Sequence, residues 1–188
     1  MKIFTWILSG AAGIFIIARL VGWCPAGSCS ASHGATAAIF PTPAPAIASL
    51  TPGFEPLTQA FTDAKVQHKL VLVDVYTDWC HWCKQLDKDV YPDRNVQKQL
   101  HAYFAATKVN AESDASIDFL GTTTSGRQLA PHWSVTGYPT ILFLSPDGNV
   151  IERVPGYLPA KDFASLLEYI GTGAYRTTSF DDWQTKRS

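Results

Sequence analysis

Cys80 and Cys83 are the residues with the clearest chemical potential, because the stretch DWCHWCKQ places two thiols two residues apart. Such a pair can bind a metal, close a structural disulfide or exchange disulfides with another protein. A structural zinc site needs four ligands, and His101 and His132 do not have the spacing that would complete one. Copper is an alternative that stays open, since two thiolates and the imidazole of His81 suit a soft ion.

Thiol–disulfide exchange is the chemistry that these residues favour. A structural disulfide between cysteines so close in sequence would restrain the unfolded chain very little. In a helix that begins at this pair, free backbone N–H groups and the helix dipole would stabilise a thiolate at Cys80. We expect Cys80 to be the exposed, attacking thiol and Cys83, on the same first turn, to resolve the mixed disulfide. His81 is either a solvated residue or a cation that stabilises the thiolate and makes the disulfide more oxidising.

The cysteine pair follows a strongly apolar segment that predicts a β-strand. Residues 70–77, LVLVDVYT, are a continuous apolar and β-branched run, which predicts a strand buried on both faces. The cysteines follow its carboxyl end, the edge at which α/β sheets form their sites. Asp74 lies inside this strand, where a carboxylate is costly unless it is paired or protonated. It is therefore either a satisfied polar group of the core or a group that moves protons for Cys83.

The rest of the folded part alternates between helix and strand patterns. Helical periodicity predicts helices over residues 54–69, 84–90 and 95–104, and a short helix around Ile117 in the polar stretch that follows residue 111. The runs 104–111, 140–144 and 149–154 predict strands, the last two joined as a hairpin by a Ser-Pro-Asp-Gly turn. Pro159 opens a final helix with one apolar face, formed by Phe163, Leu166, Leu167 and Ile170. This order indicates an α/β domain.

Residues 1–23 have a different composition and predict a transmembrane anchor. Residues 3–18 carry no charge. If Arg19 extends toward the lipid headgroups, the apolar stretch reaches Trp23 and approaches the ~20 residues of a spanning helix. A cleaved signal peptide is the main alternative, since Lys2 gives a basic start, although no clean cleavage site follows. A buried helix of a soluble domain is a third. Either of the first two interpretations exports the rest of the chain.

Residues 24–52 are rich in Pro, Ala, Ser and Thr and predict a semi-rigid tether, because such a segment cannot bury a core and favours extended conformations. Within it, Cys24 and Cys29 form a local disulfide, a second functional dithiol, or an unpaired or metal-binding pair. The folded domain is predicted over residues 53–175, and residues 176–188 are a tail. A net charge of -1 over 188 residues offers no basic face, and so predicts no nucleic-acid partner.

Four motifs in this order resemble the thioredoxin superfamily, over about residues 54–173. VDVYTDWCHWCK resembles the active-site segment, in which a buried Asp and a Trp precede the first Cys; Asp74 and Trp79 occupy those positions. TKVNAE resembles the strand whose Lys lies near the buried Asp, here Lys108. APHWSVTGYPTILF resembles the segment with the cis-proline that faces the disulfide, here Pro139. DGNVIERVPGYLPAKDFASLLEYI resembles the closing hairpin and helix.

The resemblance implies a thioredoxin fold, with a central mixed β-sheet flanked by helices and, in this chain, preceded by an N-terminal transmembrane helix. It implies a protein-disulfide oxidoreductase whose redox-active disulfide is Cys80–Cys83. Asp74 and Lys108 complete the implied catalytic set. The residues expected to contact substrate are Trp79, His81, Trp82, Tyr138 and Pro139. No cofactor is implied, because sulfur carries the electrons.

Within the superfamily, WCHWCK followed by DVYPDRNVQKQL looks most like the membrane-tethered, exported thioredoxins, a group that includes the C-terminal domain of the disulfide reductase DsbD. This implies a single-pass protein of the cell inner membrane, with its thioredoxin domain on the periplasmic side. Its partners would be exported protein disulfides and a membrane electron donor. The chain departs from typical thioredoxin in its Cys-His-Trp-Cys core, in a polar insertion between Ala111 and Leu129, and in the tail GAYRTTSFDDWQ.

Overall fold

A five-stranded mixed β-sheet forms the centre of residues 53–186, the part of the chain that the computed structural model describes. The strands are β1 (Phe54–Glu55), β2 (Leu70–Tyr76), β3 (Phe104–Asn110), β4 (Ile117–Phe119), β5 (Thr122–Thr124), β6 (Thr140–Leu144) and β7 (Val150–Pro155). The central sheet has the order β1-β3-β2-β6-β7, and β4 and β5 form a separate hairpin. β1, β3 and β2 run parallel, whereas β6 is antiparallel to β2 and to β7.

Helices lie on both faces of this sheet, which confirms the predicted thioredoxin fold with its mixed central sheet. They are α1 (Leu57–Gln67), α2 (His81–Gln85), α3 (Arg94–Tyr103), α4 (Gly126–His132), α5 (Ala160–Gly171) and α6 (Phe180–Thr185). α2 continues into a π-helical turn, Leu86–Val90. One buried cluster joins α1 and α4 to the sheet, and a second joins α3, α5 and the π-helical turn to the opposite face.

β2 separates these two clusters because its side chains alternate between them. Val71, Val73 and Val75 face the α1 cluster, whereas Leu72 faces the cluster of α3 and α5. Alternation places Asp74 on the same face as Leu72. The parallel register of β2 with β3 sets Asp74 opposite Lys108. The apolar run that predicted a buried strand thus also fixes the face on which its single carboxylate lies.

The amino-terminal end of the domain differs from the prediction of one helix over residues 54–69. Phe54 and Glu55 form β1, which pairs with β3, and α1 begins only at Leu57. Pro56 precedes the helix with φ -56° and ψ 145°, an extended conformation. The prediction was wrong because Phe54 has the helical spacing of an apolar residue but fills the other core cluster, next to Tyr91.

The polar insertion also differs from its prediction. The expected short helix around Ile117 is the β4–β5 hairpin, which turns at Leu120 and Gly121 with φ values of 53° and 84°. Positive φ at two successive positions is typical of the tight hairpin turns that match strand twist. Phe119 anchors the hairpin against Phe61 and Trp133, at centroid distances of 5.3 and 5.6 Å. The following helix, α4, was not predicted.

Beyond the predicted domain, residues 176–186 pack against α5 rather than extending away from it. Tyr169 contacts the rings of Phe180 and Trp183 at 5.2 and 5.5 Å, and its hydroxyl donates to the backbone oxygen of Thr178 at 2.6 Å. Within residues 53–186 no helix has the length and apolar character needed to cross a membrane. The predicted anchor, tether and Cys24–Cys29 pair lie outside the described residues.

Candidate active site

The two cysteines lie where β2 ends and α2 begins. Cys80 is the residue that caps α2, and its sulfur accepts a hydrogen bond from the backbone N–H of Cys83 at 3.1 Å. The two sulfurs are joined in a disulfide, 2.04 Å apart. Cys80 is 3% exposed and Cys83 2%, so the predicted greater exposure of Cys80 is absent in this disulfide form. The sulfur of Cys80 does receive a backbone N–H at the helix cap, which would stabilise a thiolate there.

Trp79 stands directly beside the disulfide and is 67% exposed. Its indole N–H donates to a carboxylate oxygen of Glu112 at 3.0 Å, and its ring meets Tyr138 edge-on at 6.0 Å. Glu112 follows β3, and its backbone oxygen accepts a hydrogen bond from Arg127 at 2.6 Å. The insertion therefore helps to orient an exposed indole next to Cys80.

Trp82, between the two cysteines, is 54% exposed and packs on the ring of Tyr157 at 5.3 Å. His81 meets the edge of Trp82 at 5.5 Å. Gly156, with φ 88°, lets the chain turn after β7, and its N–H donates to the backbone oxygen of Pro139 at 2.8 Å. This hydrogen bond ties the loop that carries Tyr157 to the start of β6.

Pro139 follows a cis peptide bond with Tyr138. The next residue, Thr140, pairs with Val75 near the end of β2, which places Pro139 at the edge of the sheet where the cysteines lie. We call Trp79, Tyr138, Trp82 and Tyr157 the aromatic rim. Trp79 and Trp82 are chain neighbours of the two cysteines, and Tyr138 and Tyr157 contact their rings.

Asp74 lies beneath this surface with no exposure to solvent. The ammonium of Lys108 is 3.2 Å from its Oδ2 atom, an ion pair that does not complete a hydrogen bond. Burial raises the pKa of Asp74 above its ordinary value, because water no longer stabilises the carboxylate, and the charge of Lys108 acts against that rise. Asp74 thus holds its proton more readily than an exposed aspartate does.

Lys108 is shared between two carboxylates, since it also bonds to Asp87 in the π-helical turn. Burial acts to lower the pKa of Lys108, but Asp74 and Asp87 outweigh burial and the pKa is raised. Its ammonium also lies over three aromatic rings: Tyr76 at 5.0 Å, Tyr91 at 5.5 Å and Phe54 at 5.6 Å. Lys108 therefore stays charged in its half-apolar surroundings.

The site residues predicted from the sequence lie in two layers of the structure. At the sheet edge with the cysteines, Trp79, His81 and Trp82 are exposed, Tyr138 is half-buried and Pro139 is buried. Asp74 and Lys108 form the buried second layer. Sequence reasoning missed four residues that complete these layers: Asp87, Tyr91, Glu112 and Tyr157. The seven-residue spacing from Cys80 to Asp87, two helical turns, was a signal for Asp87. Glu112 and Tyr157 left none, because tertiary contacts alone define their roles.

The described residues offer little to a copper site. No group of three or more His, Cys, Asp or Glu side chains within residues 53–186 is placed to hold a metal ion. His81 packs against Trp82, and the sulfurs of Cys80 and Cys83 are bonded to each other in this form. A donor set of two thiolates and one imidazole is therefore not assembled here.

Comparison with known proteins gives the same picture for most of the chain. A family model described as "Thioredoxin-like domain" matches residues 57–171. The thiol:disulfide interchange protein DsbD of Pseudoalteromonas atlantica is 35% identical over 117 residues, 60% of this chain and 18% of that protein. DsbD of Colwellia psychrerythraea is 33% identical over 109 residues, 57% of this chain and 17% of that protein. The chain thus matches less than a fifth of the length of either relative.

Among solved structures, a thioredoxin-fold protein from Helicobacter pylori superposes with a TM-score of 0.56 at 28% identity. The superposition covers 64% of this chain and 80% of that one. This likeness supports the thioredoxin fold of the described residues.

Proposed function

The chain belongs to the family of thioredoxin-like disulfide oxidoreductase domains, and on that premise we propose that it reduces disulfides of exported proteins. The observation that carries the proposal is the Cys80–Cys83 disulfide at the cap of α2, with the buried pair of Asp74 and Lys108 beneath it. A dithiol with a stabilised first thiolate and a proton acceptor near the second has what disulfide exchange requires.

The first step uses Cys80. In the reduced protein its thiolate, stabilised by the backbone N–H of Cys83, attacks one sulfur of a partner disulfide. A mixed disulfide forms between Cys80 and that sulfur, and the other partner sulfur leaves as a thiolate that takes a proton from solvent. A partner must approach closely, because the disulfide is nearly buried while the aromatic rim projects beside it.

The second step uses Cys83. Its thiol loses a proton to the carboxylate of Asp74, and the resulting thiolate attacks the sulfur of Cys80. The mixed disulfide breaks, the partner leaves with both of its sulfurs reduced, and Cys80–Cys83 becomes oxidised. Two electrons have then moved from this protein to its partner. Lys108 stabilises Asp74 as an anion before the transfer, since the two groups are 3.2 Å apart.

A membrane dithiol donor would return the domain to its reduced form. The similarity to part of DsbD and the apolar residues 1–23 support a location at the inner membrane, with the folded domain on the periplasmic side. In this proposal residues 24–52 give the domain the reach to alternate between the donor and soluble substrates.

Full-length protein should reduce the disulfides of insulin in the presence of a dithiol donor. Equilibration in glutathione buffers should give a potential closer to the about −270 mV of thioredoxin than to the about −120 mV of DsbA. The matched control is a variant with both Cys80 and Cys83 replaced by Ser, which should be inactive. A potential in the DsbA range together with oxidation of reduced substrates would contradict the reductase direction. Activity in the double variant would contradict the site itself.

The aromatic rim should matter for protein substrates but not for small ones. Trp79→Ala and Trp82→Ala should each lower kcat/KM for a protein disulfide by about tenfold, equal to about 1.4 kcal/mol of lost contact. Turnover of a small disulfide such as hydroxyethyl disulfide should change by less than about threefold, since it lacks those contacts. Val66→Ala is the control, because Val66 is 74% exposed but lies at the far end of α1. Equal losses for both kinds of substrate would show that the indoles tune the disulfide rather than bind partners.

A further inference from the structure

A buried hydroxyl that the exchange steps above do not use lies beside the proton acceptor. Tyr91 is fully buried, and its ring packs edge-on against Phe54 at 4.7 Å and Phe163 at 5.9 Å. Its hydroxyl completes no hydrogen bond within residues 53–186, and neither does either carboxylate oxygen of Asp74. Buried polar atoms normally have a hydrogen-bond partner, so the unpaired donor of Tyr91 and the unpaired acceptors of Asp74 require an explanation.

The π-helical turn is what brings Tyr91 to this place. The N–H of Tyr91 donates to the backbone oxygen of Leu86 at 3.0 Å, the five-residue step of a π-helix. This step directs Asp87 and Tyr91, four residues apart, toward the same ammonium of Lys108. Lys108 in turn lies 3.2 Å from Asp74. Single π-helical turns are frequent at functional sites, and here the turn assembles one buried polar group.

We propose that Tyr91 is a positioning residue for Asp74, with its hydroxyl donating a hydrogen bond to the ionised carboxylate and so setting the pH range in which Asp74 accepts the proton of Cys83. The inference rests on the proposed function, in which Asp74 is that acceptor. In the disulfide form the two groups complete no hydrogen bond, although the Tyr91 hydroxyl already acts to lower the pKa of Asp74. Catalytic hydrogen bonds are often long or bent before the reacting state is reached.

The groups that face Asp74 act in opposite directions. Burial raises its pKa, Lys108 and the Tyr91 hydroxyl lower it, and the negative charge of Asp87 raises it. Tyr76, from β2 itself, is a further titratable neighbour, and β6 sets the apolar Ile141 opposite Asp74. The ring of Phe163, from α5, packs against Tyr91. Burial, followed by the charge of Asp74, raises the pKa of Tyr91 well above its ordinary value, so the hydroxyl keeps its proton. It can therefore act only as a donor toward the carboxylate.

The test is Tyr91→Phe in the full-length protein, a change that removes one oxygen and keeps the buried ring. Carbon-13 NMR of labelled aspartate side chains should place the titration midpoint of Asp74 about one pH unit higher in Tyr91→Phe, the size of a lost hydrogen bond to a charged group. The Asp74 signal is identified by its absence in Asp74→Asn. The rate at which Cys83 resolves a mixed disulfide should shift to higher pH by the same amount, with several-fold slower resolution at pH 7 and equal rates at pH 9.

Tyr76→Phe is the matched control, because its ring lies at a similar distance from Lys108 but Tyr76 is not among the groups that shift the pKa of Asp74. In Tyr76→Phe the titration midpoint of Asp74 and the pH profile of resolution by Cys83 should stay as in the unmodified protein. An unchanged Asp74 midpoint in Tyr91→Phe overturns the inference, and so does a shifted midpoint with an unshifted pH profile. If the proposed function is wrong, the unmodified protein exchanges no disulfides. The titration midpoint of Asp74 measured by NMR would still show whether Tyr91 affects that carboxylate.

Discussion

Cys83→Ser should accumulate mixed disulfides with partner proteins, whereas Cys80→Ser should accumulate almost none. Cys80 caps α2, and its sulfur receives the backbone N–H of Cys83, which stabilises the thiolate that attacks. Without the thiol of Cys83 the mixed disulfide has no internal attacker and persists. Both variants should lose catalytic turnover by about 10³-fold or more, as is usual when a covalent nucleophile or its essential partner is removed.

The experiment is cleanest in a background with Cys24→Ser and Cys29→Ser, because the chain has four cysteines and this background leaves only the active pair. Complexes are separated on non-reducing gels after rapid alkylation and then released with a reductant. Equal trapping by the two variants would remove the assignment of attacker and resolver. If Cys83→Ser traps partners when Cys24 and Cys29 are present but not in this background, the second pair has a direct part in the exchange.

The sequence was most informative where one element decides both burial and position. The run LVLVDVYT predicted a strand buried on both faces, and a cysteine pair soon after it was expected at the sheet edge where sites form. The same run isolated Asp74 as the one charged residue among buried neighbours. Its location opposite Lys108 came from the thioredoxin resemblance, and the register of β2 with β3 shows it.

The missing parts depend on geometry that spacing does not encode. Residues 84–90 have the pattern of an ordinary helix, and that pattern carries no signal for the π-helical turn from Leu86 to Val90. The contacts of Asp87 and Tyr91 with Lys108 join this segment to β3, so they depend on tertiary packing. The hairpin in the insertion was likewise invisible, since its turn at Leu120 and Gly121 has few apolar neighbours to give a period. A residue could be predicted where the local sequence has a clear hydrophobic pattern, whether or not that residue matters for the chemistry.

The roles of the two layers should therefore separate experimentally. In the proposed mechanism the aromatic rim binds the partner, so the effect of substitutions there should disappear with a small disulfide. The group of Asp74, Lys108 and Tyr91 is proposed to control a proton transfer, so the effect of substitutions there should appear as a pH dependence with every substrate. A residue that affected both would have to connect the layers through the cysteines themselves.

Asp74→Asn should slow the resolving step by about 10²-fold or more near pH 7 and leave the attack by Cys80 nearly unchanged. An amide cannot accept the proton of Cys83, and general-base assistance is commonly worth about 10²-fold or more. The measurement is stopped-flow decay of a preformed mixed disulfide between about pH 6 and 9. The deficit should shrink at high pH, where Cys83 ionises without help.

The same substitution should leave the folded protein equally stable or more stable at pH 7. Since burial raises the pKa of Asp74, the folded state binds a proton more tightly than the unfolded state does. Its ionisation therefore costs stability as pH rises above the ordinary aspartate value, and that cost is fully present above the folded pKa.

Asn carries no such charge, and Lys108 keeps Asp87 as its partner. Urea unfolding should thus show a gain for Asp74→Asn at pH 7 that vanishes below about pH 4. Slower resolution with no loss of stability identifies a proton acceptor, whereas unchanged resolution together with a less stable fold would make Asp74 a structural residue only.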